Sequence, residues 1–264
     1  MRVLCKIRKE PVYRREAFER GLRVTGFTLY DKPFKPDGPT DLLVIWNRKR
    51  GHDEQEAMQW EARGGKVIVA ENGYLQKVDK TTYAISIGQH NGAGDFPVGN
   101  EDRFTKLGFS LLPWRLPEEQ FNETVIRLQR GIGSMLMASP SEWPTSTMRF
   151  VEARSHGPVR IIQHPGNFAP RVPPEKDLQF AKQFVTWGSS MGVLALTLGI
   201  PVVYGAPRWV CEEGASRLSD FPSLKRDYDA RDKAMHRMSH GQWHYEEIAT
   251  GEPFARIKAM LQCL

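Results

Sequence analysis

The sequence predicts a two-domain α/β protein, each domain a parallel sheet covered by helices. Three observations carry the prediction. Short apolar runs alternate with amphipathic stretches along the chain. The alternation breaks at the Pro/Trp-rich "FSLLPWRLPEEQ" of 109–120 and then restarts. A length of 264 residues also exceeds the usual size of one domain. The expected domains are therefore 1–115 and 116–264.

The elements follow in order. "RVLCKI" at 2–7 reads as a strand and "EAFERGLRV" at 16–24 as an amphipathic helix. "DLLVIW" at 41–46 is apolar almost throughout, as a strand covered on both faces must be. "DEQEAMQWEARGG" at 53–65 is a helix closed by glycines, and "KVIVA" and "TTYAISIGQ" are further strands. Past the break come the strand "TVIRLQ", a helix near 143–154 and the strands "VRIIQ" and "QFVTW". The helix "SSMGVLALTLG" and the strand "PVVY" complete the set, and "QWHYEEIATGEPFARIKAMLQCL" at 242–264 reads as an amphipathic terminal helix.

Composition narrows the function classes. The formal net charge is +6 and the isoelectric point about 9.2, which favours an anionic partner: nucleic acid, nucleotide phosphate or acidic glycan. No apolar run approaches the ~20 residues of a membrane span, and "MRVLCKIRKE" lacks a signal-peptide core, so the expected location is the cytoplasm. Cys5, Cys211 and Cys263 are odd in number and far apart, which supports neither a disulfide framework nor a zinc site.

Two strand ends stand out. One run closes in His164-Pro165-Gly166-Asn167 and the next in Gly188-Ser189-Ser190. In an open α/β sheet, ligands bind beyond the carboxyl ends of the strands. There a Ser-capped helix offers free N–H groups and a partial positive charge suited to phosphate. A plain N-cap and a hydrogen-bonded turn histidine are the simpler reading of either motif alone. "LQRGIGSM" at 128–135 ends another strand, so Arg130 with Gly131 and Gly133 can add phosphate contacts.

His-Pro after one strand, and Ser-Ser before a helix leading into "ALTLGIPVV", resemble the carboxyl-terminal domain of GT-B glycosyltransferases. The resemblance is closest to capsular-polysaccharide Kdo transferases and bacterial sialyltransferases. It implies two Rossmann-like domains facing a cleft and a nucleotide-sugar donor, UDP- or CMP-linked. His164, Ser189 and Ser190 then become donor contacts, with Gly188 and Gly192 allowing close backbone approach. "VIVAENGYL" at 67–75 resembles the Glu-Asp-Gly-Phe-Leu segment of the same Kdo transferases: Glu71 and Gly73 match, and Asn72 stands where that pattern has Asp.

Glycosyl transfer needs a base for the acceptor hydroxyl. Glu71 and Asp95 are the first candidates and His90 the third, the last two from the glycine-rich "GQHNGAGD" at 88–95, read as part of the acceptor site with Asn91. No essential metal is expected. "DYD" at 227–229 lies in a charge-mixed helical run, and His236, His240 and His244 lack a carboxylate at ligand spacing.

For the acceptor, basic runs at 5–16 ("CKIRKEPVYRRE") and at 46–52, with Arg48, Lys49 and Arg50, suit a polyanion. With Trp46, Trp114, Trp143 and Trp209 they suggest an enzyme that modifies double-stranded DNA carrying hydroxymethylated bases. "GQHNGAG" and "QWHYEEIATGEPF" also resemble uncharacterised bacteriophage proteins, which implies the cytoplasm of an infected host. A surface-glycan transferase of CMP-Kdo or CMP-sialate type is the alternative enzyme. A non-catalytic DNA-binding protein on a transferase fold is the alternative of another class.

Overall fold

The computed structural model describes residues 1–75, 81–90, 92–116, 120–164 and 173–262. In chain order its elements begin with β1 (Arg2–Cys5), α1 (Arg15–Val24), β2 (Thr28–Tyr30), β3 (Leu42–Trp46), α2 (His52–Glu61), β4 (Lys66–Asn72) and β5 (Thr82–Ile87). They continue with α3 (Arg103–Lys106), β6 (Glu123–Arg127), α4 (Trp143–Glu152), β7 (Val159–Ile162), α5 (Pro174–Asp177), β8 (Ala181–Thr186) and α6 (Ser190–Thr197). The last are β9 (Val202–Tyr204), β10 (Ser216–Arg217), α7 (Tyr228–Ser239), β11 (Gln242–His244), α8 (Tyr245–Thr250) and α9 (Glu252–Gln262).

The chain forms two compact units. The first comprises Met1–Glu101, Gly133–Leu136 and His240–Leu264, and the second Asp102–Ile132 and Met137–Ser239. Apart from the short return at Gly133–Leu136, this division crosses at 101/102 and returns at 239/240, whereas the sequence suggests a single change at 115/116. Packing explains both differences. The segment expected to link domains is strapped to the second unit: the Leu112 and Arg115 N–H groups donate to the Thr197 and Gly199 carbonyls, and the Arg231 guanidinium donates to the Leu112 carbonyl at 2.8 Å. The chain end, by contrast, returns to the first unit, where β11 pairs with β5 and Phe254 and Ile257 join the core with Phe18 and Leu22.

In the first unit the strand order is β11-β5-β4-β3-β1-β2. β2, β1, β3 and β4 run parallel. β3 is flanked on both sides and buried at all five positions, which is why it reads as an unbroken apolar run. Its alternate residues feed two cores, Leu42, Val44 and Trp46 on one face and Leu43 and Ile45 on the other. β5 returns antiparallel, against the expectation of a wholly parallel sheet. Only residues 73–81 separate it from β4, too few for the crossover a parallel strand needs. β11 was expected to be helical; it is held extended by its antiparallel pairing with β5.

The second unit carries a sheet of order β10-β9-β8-β6-β7, parallel at every pairing. Ile126, Val185 and Val203 line one face of it, against Trp143 and Val151 of α4. In both units the first strand has the second on one side and the third on the other. The strand order therefore reverses between β1 and β3, and again between β6 and β8, and such a reversal opens a crevice at the carboxyl ends. Among the described residues no helix is long and apolar enough to cross a membrane.

Candidate functional site

The β6/β8 reversal gathers most of the residues expected to bind a donor. Thr186 ends β8, and its hydroxyl accepts a hydrogen bond from the Ser189 N–H at 3.0 Å. Ser189 is the N-cap of α6, its hydroxyl accepting from the Met191 N–H at 3.2 Å. Ser190, the first helical residue, is exposed, and neither its hydroxyl nor its N–H is taken by any described residue. The helix thus presents unused donors at its positive end, directly beyond the strand ends.

The other donor candidates divide by role. The Gly188 N–H is committed, donating to the Gln129 Oε1 at 2.9 Å and tying the loop after β8 to the loop after β6. Gln129 was not singled out from sequence; it is a polar residue ending an apolar strand run. At Gly192 a Cβ would come within 2.9 Å of the Trp209 ring, so this glycine lets α6 seat on a buried tryptophan rather than approach a ligand. His164 is exposed two residues beyond β7. β6 stands between β7 and β8, so His164 and Ser189 flank that strand instead of sitting on adjacent ones. Residues 165–172 of the His-Pro loop lie outside the described residues.

Arg127, also missed from sequence, ends β6 and donates to the Gln163 carbonyl at 3.0 Å, steadying the approach to His164. Burial pulls its guanidinium below the usual value, partly opposed by Asp177; an arginine remains charged all the same. Arg130 is exposed, and Gly131 (φ 65°) and Gly133 (φ 147°) take backbone conformations that favour glycine. Gly133 packs with the first unit, its carbonyl accepting from the Arg50 N–H at 2.8 Å.

In the first unit the carboxyl end of β4 holds Glu71. Glu71 and Gln242 pair with opposite sides of Ala84, so both side chains stand on one face of the sheet. The Gln242 Oε1 accepts from the Tyr74 N–H at 2.7 Å, and the Gly73 N–H donates to the Thr82 carbonyl at 2.9 Å; together these fix the turn that follows Glu71. The Glu71 Oε1 is buried and finds no hydrogen-bond partner among the described residues. On the next strand end, Asn47 has a left-handed backbone (φ 61°), and its buried Oδ1 is likewise unpartnered. Two orphaned polar oxygens on adjacent strand ends, each costing on the order of 1–3 kcal/mol if left dry, call for a partner such as water, an ion or a ligand group.

The glycine-rich loop lies elsewhere. Asp95 bridges to Ile87, which pairs with Ile68, three residues before Glu71 on β4. At about 3.3 Å per residue, Asp95 is roughly 10 Å or more from Glu71, toward the amino ends of the parallel strands. Asp95 is exposed there and His90 is buried. The structure therefore does not bring the three base candidates together, and Asn91 lies outside the described residues.

Arg48 is only 4% exposed. It donates to both Glu61 carboxylate oxygens, at 2.7 and 2.9 Å, and to the Gly88 carbonyl at 2.6 Å. Its charge anchors the loop and is not offered to a ligand. Lys49 is half-buried, and Arg50 is exposed. Replacing Arg48 by Ala is expected to lower the unfolding free energy by about 1.5–3 kcal/mol, read from the midpoint of chemical denaturation; an unchanged midpoint contradicts the anchoring role.

The tryptophans expected to stack on bases serve the interior. Trp46, Trp143 and Trp209 are buried, and Trp114 is half-buried beneath the Arg231 guanidinium at 3.9 Å. Among the described residues no group of three or more His, Cys, Asp or Glu is placed to hold a metal ion. Asp227 caps α7, its carboxylate accepting from the Ala230 N–H. His236 lies on α7 and His244 on β11, so the histidines do not line one helix face.

No protein-family model matches the sequence, and no curated protein is significantly similar to it. Solved structures do match. One is Thermosulfurimonas dismutans KpsC described as a beta Kdo 2,4 transferase, with a TM-score of 0.51 and 13% identity, covering 98% of this chain and 97% of that one. Another is KpsC of the same organism described as a beta Kdo 2,7 transferase, with a TM-score of 0.51 and 12% identity, covering 97% of this chain and 99% of that one. At such identity the likeness speaks for architecture: the chain has the two-unit, Rossmann-like α/β fold of these Kdo transferases, the fold class its sequence predicts.

Proposed function

We propose that the chain is a glycosyltransferase that moves a sugar from a nucleotide-linked donor to a hydroxyl, with Glu71 as the base. The observation carrying the proposal is the buried, unpartnered Glu71 Oε1 at the carboxyl end of β4. A carboxylate held so has an acceptor position open to a substrate hydroxyl. As Glu71 takes the proton, the acceptor oxygen attacks the anomeric carbon and the bond from that carbon to the donor phosphate breaks. The leaving phosphate gains charge, and a helix N-terminus with a free hydroxyl, as Ser190 gives α6, is the kind of group that stabilises it. A UDP- or CMP-linked sugar fits this scheme, and no step in it requires a metal.

For the acceptor we read a saccharide hydroxyl, the surface-glycan alternative, over a hydroxymethylated DNA base. A duplex is bound chiefly by cations left free for phosphates. Here Lys6 pairs with Glu56, Arg15 with Glu19 and Arg48 with Glu61, which takes up three of the eight cations in the two basic runs. The tryptophans that suggested base stacking are core residues or lie beneath an arginine. Titration calorimetry with UDP-, CMP-, GDP- and dTDP-sugars tests the donor half: one nucleotide class is expected to bind, and heat from none of them contradicts it.

A further inference from the structure

The basic segment at 5–16 is only partly used by the scheme above, and it borders a cavity. Beyond the carboxyl ends of β1 and β2, beside the β1/β3 reversal, lies a concave site of about 910 Å³. That volume falls within the ~300–1,000 Å³ of small-molecule sites. Its lining joins Arg8, Lys9, Glu10 and Asp31 to Tyr30, with Lys6 and Arg15 also present but paired with Glu56 and Glu19.

Two features of this lining select the ligand. The first is mixed charge without internal pairing. The side chains of Lys9, Glu10 and Asp31 make no hydrogen bond or ion pair with any described residue, and Arg8 meets only Tyr13, donating to its hydroxyl at 3.1 Å. The cavity therefore offers unused donors and unused acceptors side by side. A simple polyanion would use only the cations, whereas a polyol, whose hydroxyls both donate and accept, can use both kinds of group. The second feature is Tyr30, a large ring left 40% exposed at the end of β2. The ring packs against Phe34 at 4.9 Å between centroids, and what remains exposed, with a hydroxyl at its edge, suits a ligand that is apolar on one face and wet at its rim, as a pyranose is.

We propose that this cavity is a saccharide subsite, taking a sugar unit of the acceptor remote from the hydroxyl that reacts. The proposal rests on the transferase reading and adds the acceptor's extent. Strands lie about 4.8 Å apart, and β1 and β2 are two and three strands from β4, so the cavity stands roughly 10–15 Å from Glu71 across the sheet. The acceptor is then an oligosaccharide long enough to reach from one to the other.

An array of defined oligosaccharides, neutral and acidic, of one to six units, is probed with wild-type chain and with the Arg8→Ala/Tyr30→Ala variant. A 12-base-pair duplex is the competitor. Wild type is expected to hold chains of three or more units above single sugars, and the variant to lose about tenfold or more of that binding, the scale of one lost hydrogen bond to a charged group. No saccharide bound by wild type, equal binding by the variant, or displacement by the duplex overturns the proposal. Calorimetry with nucleotide sugars on the same two proteins separates the failures. Donor binding without saccharide binding sinks the subsite alone, and saccharide binding through the cavity without any donor sinks the transferase reading alone.

Discussion

Glu71→Gln is expected to reduce turnover about 10²–10⁴-fold, the usual contribution of a positioned base, equivalent to roughly 2.7–5.4 kcal/mol of transition-state stabilisation. The change keeps the side chain's size and removes its charge. Because the Glu71 Oε1 has no hydrogen-bond partner among the described residues, removing that charge gives up no bond of the fold. Thermal stability should be unchanged or slightly higher. A merely structural glutamate would behave in the opposite way, losing stability and activity together. Asp95→Asn is the matched control: on the exposed bridge to Ile87, away from the carboxyl end of β4, it should stay within a few-fold of wild type. If Glu71→Gln retains turnover and Asp95→Asn does not, the base is assigned to the wrong end of the sheet.

The second large effect belongs to the N-terminus of α6, where two adjacent serines should separate stability from binding. Ser189→Ala removes the cap that accepts from the Met191 N–H, and is expected to cost about 1 kcal/mol of stability with some loss of donor affinity. Ser190→Ala removes an exposed hydroxyl bonded to no described residue, so stability should not move. Its donor affinity should instead fall about 10–100-fold, as for a lost hydrogen bond to a charged phosphate. Calorimetry beside thermal melts reads both quantities. Unchanged affinity in a folded Ser189→Ala/Ser190→Ala double variant would remove this helix from the donor site.

Much of this arrangement is legible in the residues themselves. "LLVIW" reads as a strand covered on both faces, and Ser-Ser before an apolar helix located α6 and its cap. What stayed hidden depends on partners distant in sequence. Gln242–His244 reads as helical because polar and aromatic residues continue into a true helix; pairing with Thr82–Ala84 holds it extended, and His244 then caps α8. Charge gives no sign of its pairing, so Arg48 looks like a surface cation in "WNRKRGH" although it is buried against Glu61. Gln129 and Arg127 act through a Gly188 N–H and a Gln163 carbonyl that no local pattern announces. Proximity in sequence also misled: the loop of His90 and Asp95 follows directly on β5, but an antiparallel strand ends where its parallel neighbours begin.

Transfer itself is the most direct measurement. Wild-type chain is incubated with each nucleotide sugar and, in parallel, with oligosaccharides of one to six units and with duplexes carrying cytosine, 5-hydroxymethylcytosine or 5-hydroxymethyluracil. Acceptor masses and released nucleotide are then read together. The account predicts that one donor class will add the mass of a single sugar residue to an oligosaccharide, with one nucleotide released per sugar gained, and that Glu71→Gln will abolish both signals. A mass gain confined to a duplex would move the acceptor to DNA, and no mass gain with no nucleotide release in any pairing would contradict the assignment as a glycosyltransferase.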